Sequence, residues 1–166
     1  VVTGQIFAAA ATGSRAIGMA DLNRDGLADS VLSENAPILT YHEGRASVIV
    51  LAPLVINMGS IIADLAAGDF NSDNYVDLIS INFDGGTQGT MTLATGQSGA
   101  TFFSPTIAAR GTIPRSLALG DLNGDHALDA VVTSYESLTS TGTLSTYIGD
   151  GQGALSFGGS LPSGGV

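Results

Sequence analysis

Short apolar runs alternate with turns rich in glycine and aspartate along nearly the whole chain. Runs of four to eight residues that are rich in Val, Ile, Thr and Phe and bounded by Gly, Asn, Asp or Pro are typical of β-strands. No segment repeats apolar residues at a 3.6-residue period for long enough to predict a helix. The pattern therefore predicts an all-β protein.

The apolar runs fall into three similar sets of four. Each set predicts a four-stranded antiparallel sheet, with hairpin turns between the third and fourth strands at residues 96–99 and 149–153. The predicted first strands are residues 16–20, 65–68 and 116–120, the second 30–33, 78–81 and 130–133, the third 46–51, 90–94 and 143–148, and the fourth 53–58, 101–107 and 154–157.

An acidic loop joins the first predicted strand to the second in every set. The loops begin at Asp21, Asp69 and Asp121, and each reads Asp-x-Asn-x-Asp-x-x-x-Asp. Together they hold nine of the 15 acidic residues, and their starts lie 48 and 52 residues apart. An internal repeat of about 50 residues indicates a propeller, a solenoid or an array.

The composition of the loops points to a bound cation. Three carboxylates and one amide oxygen within nine residues repel one another unless a cation lies among them. Hard oxygen ligands at alternate positions suit calcium, which takes six to eight oxygens, better than magnesium, which keeps its waters and a strict octahedron. The alternative is a set of Asp/Asn-rich turns with solvated charges. Three copies with the same ligand positions favour calcium.

The sixth position of the loop must turn sharply if the side chains are to converge. It is occupied by Gly26, Asn74 and His126, which are among the residue types that tolerate a positive φ. We therefore predict a positive φ at all three positions.

Two other calcium-binding architectures share parts of this pattern. An EF-hand loop needs a bidentate Glu at its twelfth position, whereas this chain has Leu32, Ser80 and Val132 there, inside predicted strands. A calcium-binding β-helix repeats its nonapeptides in tandem, rather than once in about 50 residues. Neither architecture fits the chain.

The loops and their flanks resemble the FG-GAP/VCBS repeat of integrin α-subunit-type β-propellers over roughly residues 5–161. The pairs Gly68-Asp69 and Gly120-Asp121 match the Gly-Asp step of the family, and Ala20-Asp21 departs from it. The glycine-rich turn at Asp150, followed by Phe157, is similar to the family's end-of-blade hairpin.

The resemblance implies four-stranded blades with one structural Ca²⁺ in each loop, up to three in all. By the same resemblance, Leu27, Tyr75 and Ala127 would contribute backbone carbonyls. The side-chain ligands would be Asp21, Asn23, Asp25 and Asp29 in the first loop, Asp69, Asn71, Asp73 and Asp77 in the second, and Asp121, Asn123, Asp125 and Asp129 in the third.

These repeats divide the chain into three predicted blades: residues 15–60, 61–111 and 112–161, preceded by a lead-in strand in 1–14 and followed by a tail in 162–166. Propellers usually close with four to eight blades, so three blades leave two apolar faces without a neighbour. We expect further blades to cover them, either from a longer parent chain or from identical subunits in a homo-oligomeric ring, a fibre or a filament.

Charge and composition exclude some classes of binding partner. The net charge is −10, with five arginines and no lysine, which argues against binding nucleic acid or an anionic membrane surface. The chain has no cysteine, and it has no apolar stretch long enough for a membrane-spanning helix. We expect an extracellular or cell-surface protein stabilised by something other than disulfides.

The sequence offers little for catalysis. Its two histidines are His42, predicted to lie in a surface loop, and His126, at the turn position of the third acidic loop. No nucleophile elbow and no phosphate-binding loop accompany them. We therefore expect a non-enzymatic, calcium-stabilised propeller-type module for adhesion or structural assembly, with a glycan or a surface protein as a further candidate partner. The alternatives are a carbohydrate-binding lectin and a non-catalytic propeller appended to a secreted enzyme.

Overall fold

The computed structural model describes residues 16–33, 36–44, 54–83, 85, 88–99, 101–102, 106–136 and 141–163. Within these ranges the chain forms 14 β-strands and no helix, so the all-β prediction is confirmed. No helix in the same ranges is long and apolar enough to cross a membrane. The predicted lead-in strand in residues 1–14 lies outside the described residues.

Twelve of the strands build three four-stranded antiparallel sheets, with the orders β1-β2-β3-β4, β10-β7-β6-β5 and β11-β12-β13-β14. The strands β8 and β9 pair only with each other. The three large sheets are propeller-type blades, and within the described part of the chain they do not close into a ring. The first sheet contains β1 (Ile17–Ala20), β2 (Asp29–Ser33), β3 (Ile38–His42) and β4 (Leu54–Asn57); the second contains β5 (Ile61–Gly68), β6 (Asp77–Phe83), β7 (Gln88–Ala94) and β10 (Thr106–Thr112); the third contains β11 (Pro114–Gly120), β12 (Asp129–Glu136), β13 (Thr141–Gly149) and β14 (Leu155–Ser163); the small hairpin is β8 (Gly96–Gln97) and β9 (Thr101–Phe102).

Two strands lie where the sequence pattern did not place them. The third strand of the first sheet is Ile38–His42, so the prediction of residues 46–51 is wrong for that strand, and residues 46–51 themselves lie outside the described residues. His42 ends this strand and pairs with Ser30, so its prediction as a surface-loop residue is also wrong. The prediction failed because Ile38–His42 is less apolar than residues 46–51, which the apolar pattern favoured as a strand.

The fourth strand of the second sheet begins at Thr106 and not at Thr101. Thr101 and Phe102 pair instead with Gln97 and Gly96 in the small hairpin. A tight turn at Gly99, with φ of 73°, closes that hairpin before the chain returns to the main sheet. The predicted strand therefore joined two separate elements.

The middle sheet is packed on both of its faces, and β6 is buried along six of its seven residues. One cluster of buried residues fills the space between the first and second sheets, and includes Val31, Leu39 and Leu78. A second cluster between the second and third sheets includes Ile79, Met91 and Val132. Because side chains alternate across a strand, the neighbours Leu78 and Ile79 serve opposite cores. The two packed interfaces fix the acidic loops next to one another at one end of the sheets.

Candidate metal centre

Each acidic loop occupies the connection between the first two strands of a sheet, as predicted: β1–β2, β5–β6 and β11–β12. The sixth position has a positive φ in all three loops, 85° at Gly26, 67° at Asn74 and 71° at His126. This confirms the predicted turn. The twelfth position falls within β2, β6 and β12, where an EF-hand would need a helix.

A second turn position was missed by the sequence reasoning. The fourth residue of each loop also has a positive φ, 63° at Arg24, 58° at Ser72 and 83° at Gly124. The chain thus enters the left-handed region at two alternate positions on either side of the central aspartate. Two such residues curl the loop tightly enough for its side chains to meet its own amides. Arg and Ser at this position gave no signal, since neither residue type is typical of positive φ.

The first aspartate of each loop is held by two backbone N–H groups. Asp69 Oδ1 accepts a hydrogen bond from Asp73 N at 3.1 Å, and Oδ2 accepts one from Asn74 N at 2.9 Å. Asp21 accepts the equivalent pair from Asp25 and Gly26. In the third loop Asp121 accepts from Gly124 at 2.7 Å and from His126 at 3.0 Å.

The third and fifth positions bind each other. In the second loop, Asn71 Oδ1 accepts from Asp73 N at 3.3 Å, and Asn71 Nδ2 donates to Asp73 Oδ2 at 2.9 Å. The other carboxylate oxygen, Asp73 Oδ1, accepts from Tyr75 N at 2.8 Å. The same three contacts recur in the other loops, centred on Asp25 and Asp125.

The ninth position differs from the other three because it is fully buried and joins two distant pieces of backbone. Asp77 Oδ2 accepts from Phe70 N, and Asp77 Oδ1 accepts from Gly96 N, both at 2.8 Å. In the first loop Asp29 accepts from Leu22 N at 2.8 Å and from Gly44 N at 2.6 Å. In the third Asp129 accepts from Leu122 N and from Gly149 N, both at 2.8 Å.

The glycines that donate to these buried carboxylates were also missed by the sequence reasoning. A Cβ on Gly44, Gly96 or Gly149 would overlap the carbonyl oxygen of Ala28, Val76 or Leu128, respectively. Only glycine lets the strand end approach the loop this closely. The sequence separation between each glycine and the aspartate at the ninth loop position varies, at 15, 19 and 20 residues. Because the spacing is not constant, these glycines do not stand out as part of the repeat.

The surroundings shift the pKa values of two loop carboxylates in opposite directions. Burial raises the pKa of Asp77, opposed by the N–H groups of Gly96 and Phe70, while Asp73 and Asp69 add to the rise. The N–H of Gly124 is the main cause of a lowered pKa at Asp121. The His126 imidazole Nδ1 lies 3.7 Å from Asp121 Oδ2. One loop thus keeps an exposed carboxylate ionised, while another holds a buried carboxylate beside two like charges.

The donor chemistry of the loops fits a hard cation. The first, third and fifth positions expose carboxylate and amide oxygens, each of which keeps acceptor capacity beyond its bond to the loop. Among the residues that the structure describes, however, no three Asp, Glu or His side chains converge closely enough to hold a metal ion in the present arrangement. The carboxylates of the first and fifth positions instead accept hydrogen bonds from backbone N–H groups of the same loop. A cation would compete with these contacts, above all with the Asn Nδ2 bond to the fifth position.

Neighbouring loops also contact one another. The Arg24 guanidinium of the first loop stacks over the Tyr75 ring of the second, 5.1 Å from its centroid. Gly153, in the turn between β13 and β14, donates to the Phe70 carbonyl of the second loop at 3.1 Å. The first and second acidic loops are therefore in direct contact, and the second also contacts the β13–β14 turn of the third sheet.

A family model described as the FG-GAP-like repeat matches residues 69–132. The match runs from the first aspartate of the second loop to the second strand of the third sheet. It confirms the resemblance seen in the sequence for these residues. No curated protein matches the chain.

Proposed function

Because the chain carries FG-GAP-like repeats in residues 69–132, we propose that it is an extracellular, calcium-stabilised propeller-type module that serves adhesion or structural assembly without catalysis. Repeats of this family are typically extracellular. The observation that carries the proposal is the same solvent-accessible trio of oxygen-bearing side chains, half-buried or exposed, at positions one, three and five in all three loops.

Calcium would act on folding through these loops. The ion would be held by the side-chain oxygens of the first, third and fifth positions and by the seventh-position carbonyl. The buried ninth-position carboxylate would support the loop through the two backbone N–H groups that it binds. When bound, it supplies positive charge to a chain whose net charge is −10. Three ions would offset more than half of that charge. Binding to the folded state alone stabilises by about 2.7 kcal/mol per site at a hundredfold excess over the dissociation constant.

The test compares thermal unfolding of the chain in calcium, in magnesium and in chelator. We expect the melting temperature to rise with calcium concentration and to respond much less to magnesium. Asp73→Asn should reduce the calcium-dependent rise, whereas Asp150→Asn removes the same charge outside the loops and should preserve it. Coincident melting curves in calcium and in chelator would rule out the proposed role of calcium.

The choice between a scaffold and a lectin needs a separate test. The exposed His126 imidazole belongs to the acidic loop, where it occupies the turn position. A glycan array probed in calcium distinguishes scaffold from lectin. Reproducible binding to one class of sugar would replace the scaffold proposal by the lectin alternative.

A further inference from the structure

The three sheets allow one sequence position to be compared with and without a neighbouring sheet. We call the side of each sheet that faces the preceding sheet its leading face, and the opposite side its trailing face. The leading face of the first sheet and the trailing face of the third have no neighbour among the described residues. Their side chains can therefore be compared with their equivalents in the two packed interfaces.

On the leading side, Leu65 of β5 and Leu117 of β11 insert against the preceding sheet and are 6% and 9% exposed. The equivalent residue of the first sheet, Ile17, pairs with Leu32 in the same register and is 62% exposed. Met19 on the same strand and Val55 of β4 are exposed as well. The first sheet thus presents the apolar residue that the other two bury against a neighbour.

The trailing side shows the same contrast. Ile56 of β4 is 6% exposed beneath the second sheet, whereas its equivalent in β14, Leu161, is 67% exposed. Leu39 and Met91 are buried, while their equivalent Leu144 is exposed. At the second position of the loop Leu22 and Phe70 are buried, while Leu122 is exposed.

A glycine on this trailing face gives a more specific signal. A Cβ on Gly68 would approach Leu128 Cδ1 of the third sheet to 2.5 Å, so the absent side chain makes room for a leucine of the next loop. The equivalent glycine of the third sheet is Gly120, and a Cβ there would meet nothing within 4 Å. The trailing face of the third sheet therefore offers, above Gly120, the same space that Leu128 fills above Gly68.

We propose that a second copy of this chain docks head to tail, with the leading face of its first sheet on the trailing face of the third sheet. The argument is continuity: both faces continue an interface that the chain already makes twice within itself. Six exposed residues of these two faces are apolar: Ile17, Met19, Val55, Leu122, Leu144 and Leu161. Two such contacts between two copies give six blades, within the usual range for a closed ring.

The register of this contact places Ala28 of one copy over Gly120 of the other. Ala28 is the counterpart of Leu128 in the first loop, and it is exposed. Alanine would fill the space above Gly120 only in part. Ala28→Leu should therefore tighten the association by about tenfold, from the extra apolar surface buried.

Sedimentation velocity of the full chain in calcium, from micromolar to millimolar concentration, tests the proposal. We expect a reversible dimer in the unmodified chain and a monomer in both Ile17→Glu and Leu161→Glu. Gln152→Glu adds the same charge at an exposed turn away from both faces and should leave the dimer intact. Mixing the two monomeric variants should restore a dimer, because each keeps the face that the other has lost.

The outcomes separate this inference from the proposed function on which it rests. A monomer at every concentration, with a melting temperature that still rises with calcium, would overturn the second copy and assign the open faces to other blades. A dimer that survives Ile17→Glu or Leu161→Glu, or a mixture of the two that stays monomeric, would overturn the head-to-tail contact. An unchanged association in Ala28→Leu would overturn its register.

Discussion

The carboxylate of Asp77 accepts a hydrogen bond from the backbone N–H of Gly96 at 2.8 Å, across 19 residues of sequence. This bond ties the end of the acidic loop to the end of the third strand of the same sheet. The other oxygen of Asp77 holds Phe70, at the beginning of the loop. The same arrangement at Asp29 and Asp129 makes it a structural rule of the repeat.

The close approach at Gly96 predicts a large effect from a small substitution. Gly96→Ala would place a methyl group on the Val76 carbonyl oxygen and should lower the free energy of unfolding by about 2 kcal/mol. Denaturant unfolding at fixed calcium measures this. Gly120→Ala, measured at a protein concentration too low for copies of the chain to associate, is the matched control, since its Cβ meets nothing within 4 Å in the same chain. Equal stability of the two variants would contradict the close approach.

Substitutions at the ninth and the fifth loop positions should differ in how far their effect on the free energy of unfolding depends on calcium. Asp77→Asn replaces one acceptor by an N–H₂ group that faces a backbone donor, and should cost about 1–3 kcal/mol in calcium and in chelator alike. Asp73→Asn, in the exposed part of the loop, should matter little in chelator and weaken stability only in calcium. Paired unfolding curves for the two variants check this. Identical calcium dependence would show that the two positions share one role.

The backbone at the sixth loop position predicts a cost for β-branched residues. Gly26 has φ of 85° and open space around its missing Cβ, so Gly26→Val should lose about 1–2 kcal/mol from backbone strain alone. His126→Gly should leave stability unchanged or raise it, because glycine is free at φ of 71°. Denaturant unfolding of both variants checks the sign. Stabilisation by Gly26→Val would contradict the left-handed turn.

The turn between β13 and β14 should be sensitive to acid. The N–H groups of Ala154 and Gln152 lower the pKa of Asp150 below its ordinary value of 3.8. A lowered folded-state pKa gives stability that is present above the unfolded-state value and lost as the pH falls through the folded-state pKa. Unfolding measured from about pH 5 downward should therefore show a steeper loss in the unmodified chain than in Asp150→Asn. Parallel curves would exclude this contribution.

Local chemistry explains why much of the site followed from sequence. The three Asp-x-Asn-x-Asp loops, the β-strands on either side and the positive φ at Gly26, Asn74 and His126 depend on residues within one short segment. The first strands after each loop were also recognisable, because burial on both faces demands an apolar run such as that in β6. These features need no knowledge of distant contacts.

Long-range placement explains the errors and omissions. The strand Ile38–His42 is defined by its pairing with β2 and β4, not by its own apolar content. Thr101 and Phe102 were wrongly predicted to belong to the fourth strand, because they pair with Gly96 and Gln97, which lie nearer in the sequence. Gly44, Gly96 and Gly149 carry no local mark of their role, since the carboxylate that needs each N–H lies 15 to 20 residues away.

The sequence by itself determined the repeat, the acidic loops and their turns, because side-chain chemistry and backbone preference act over a few residues. Tertiary structure decided which carboxylates are buried as supports and which remain exposed in the loop. It also decided which apolar residues are covered: Ile56 and Leu161 occupy equivalent positions, but among the described residues only Ile56 has a neighbouring sheet packed against it. Burial is a property of what lies opposite a residue, and that is set by packing.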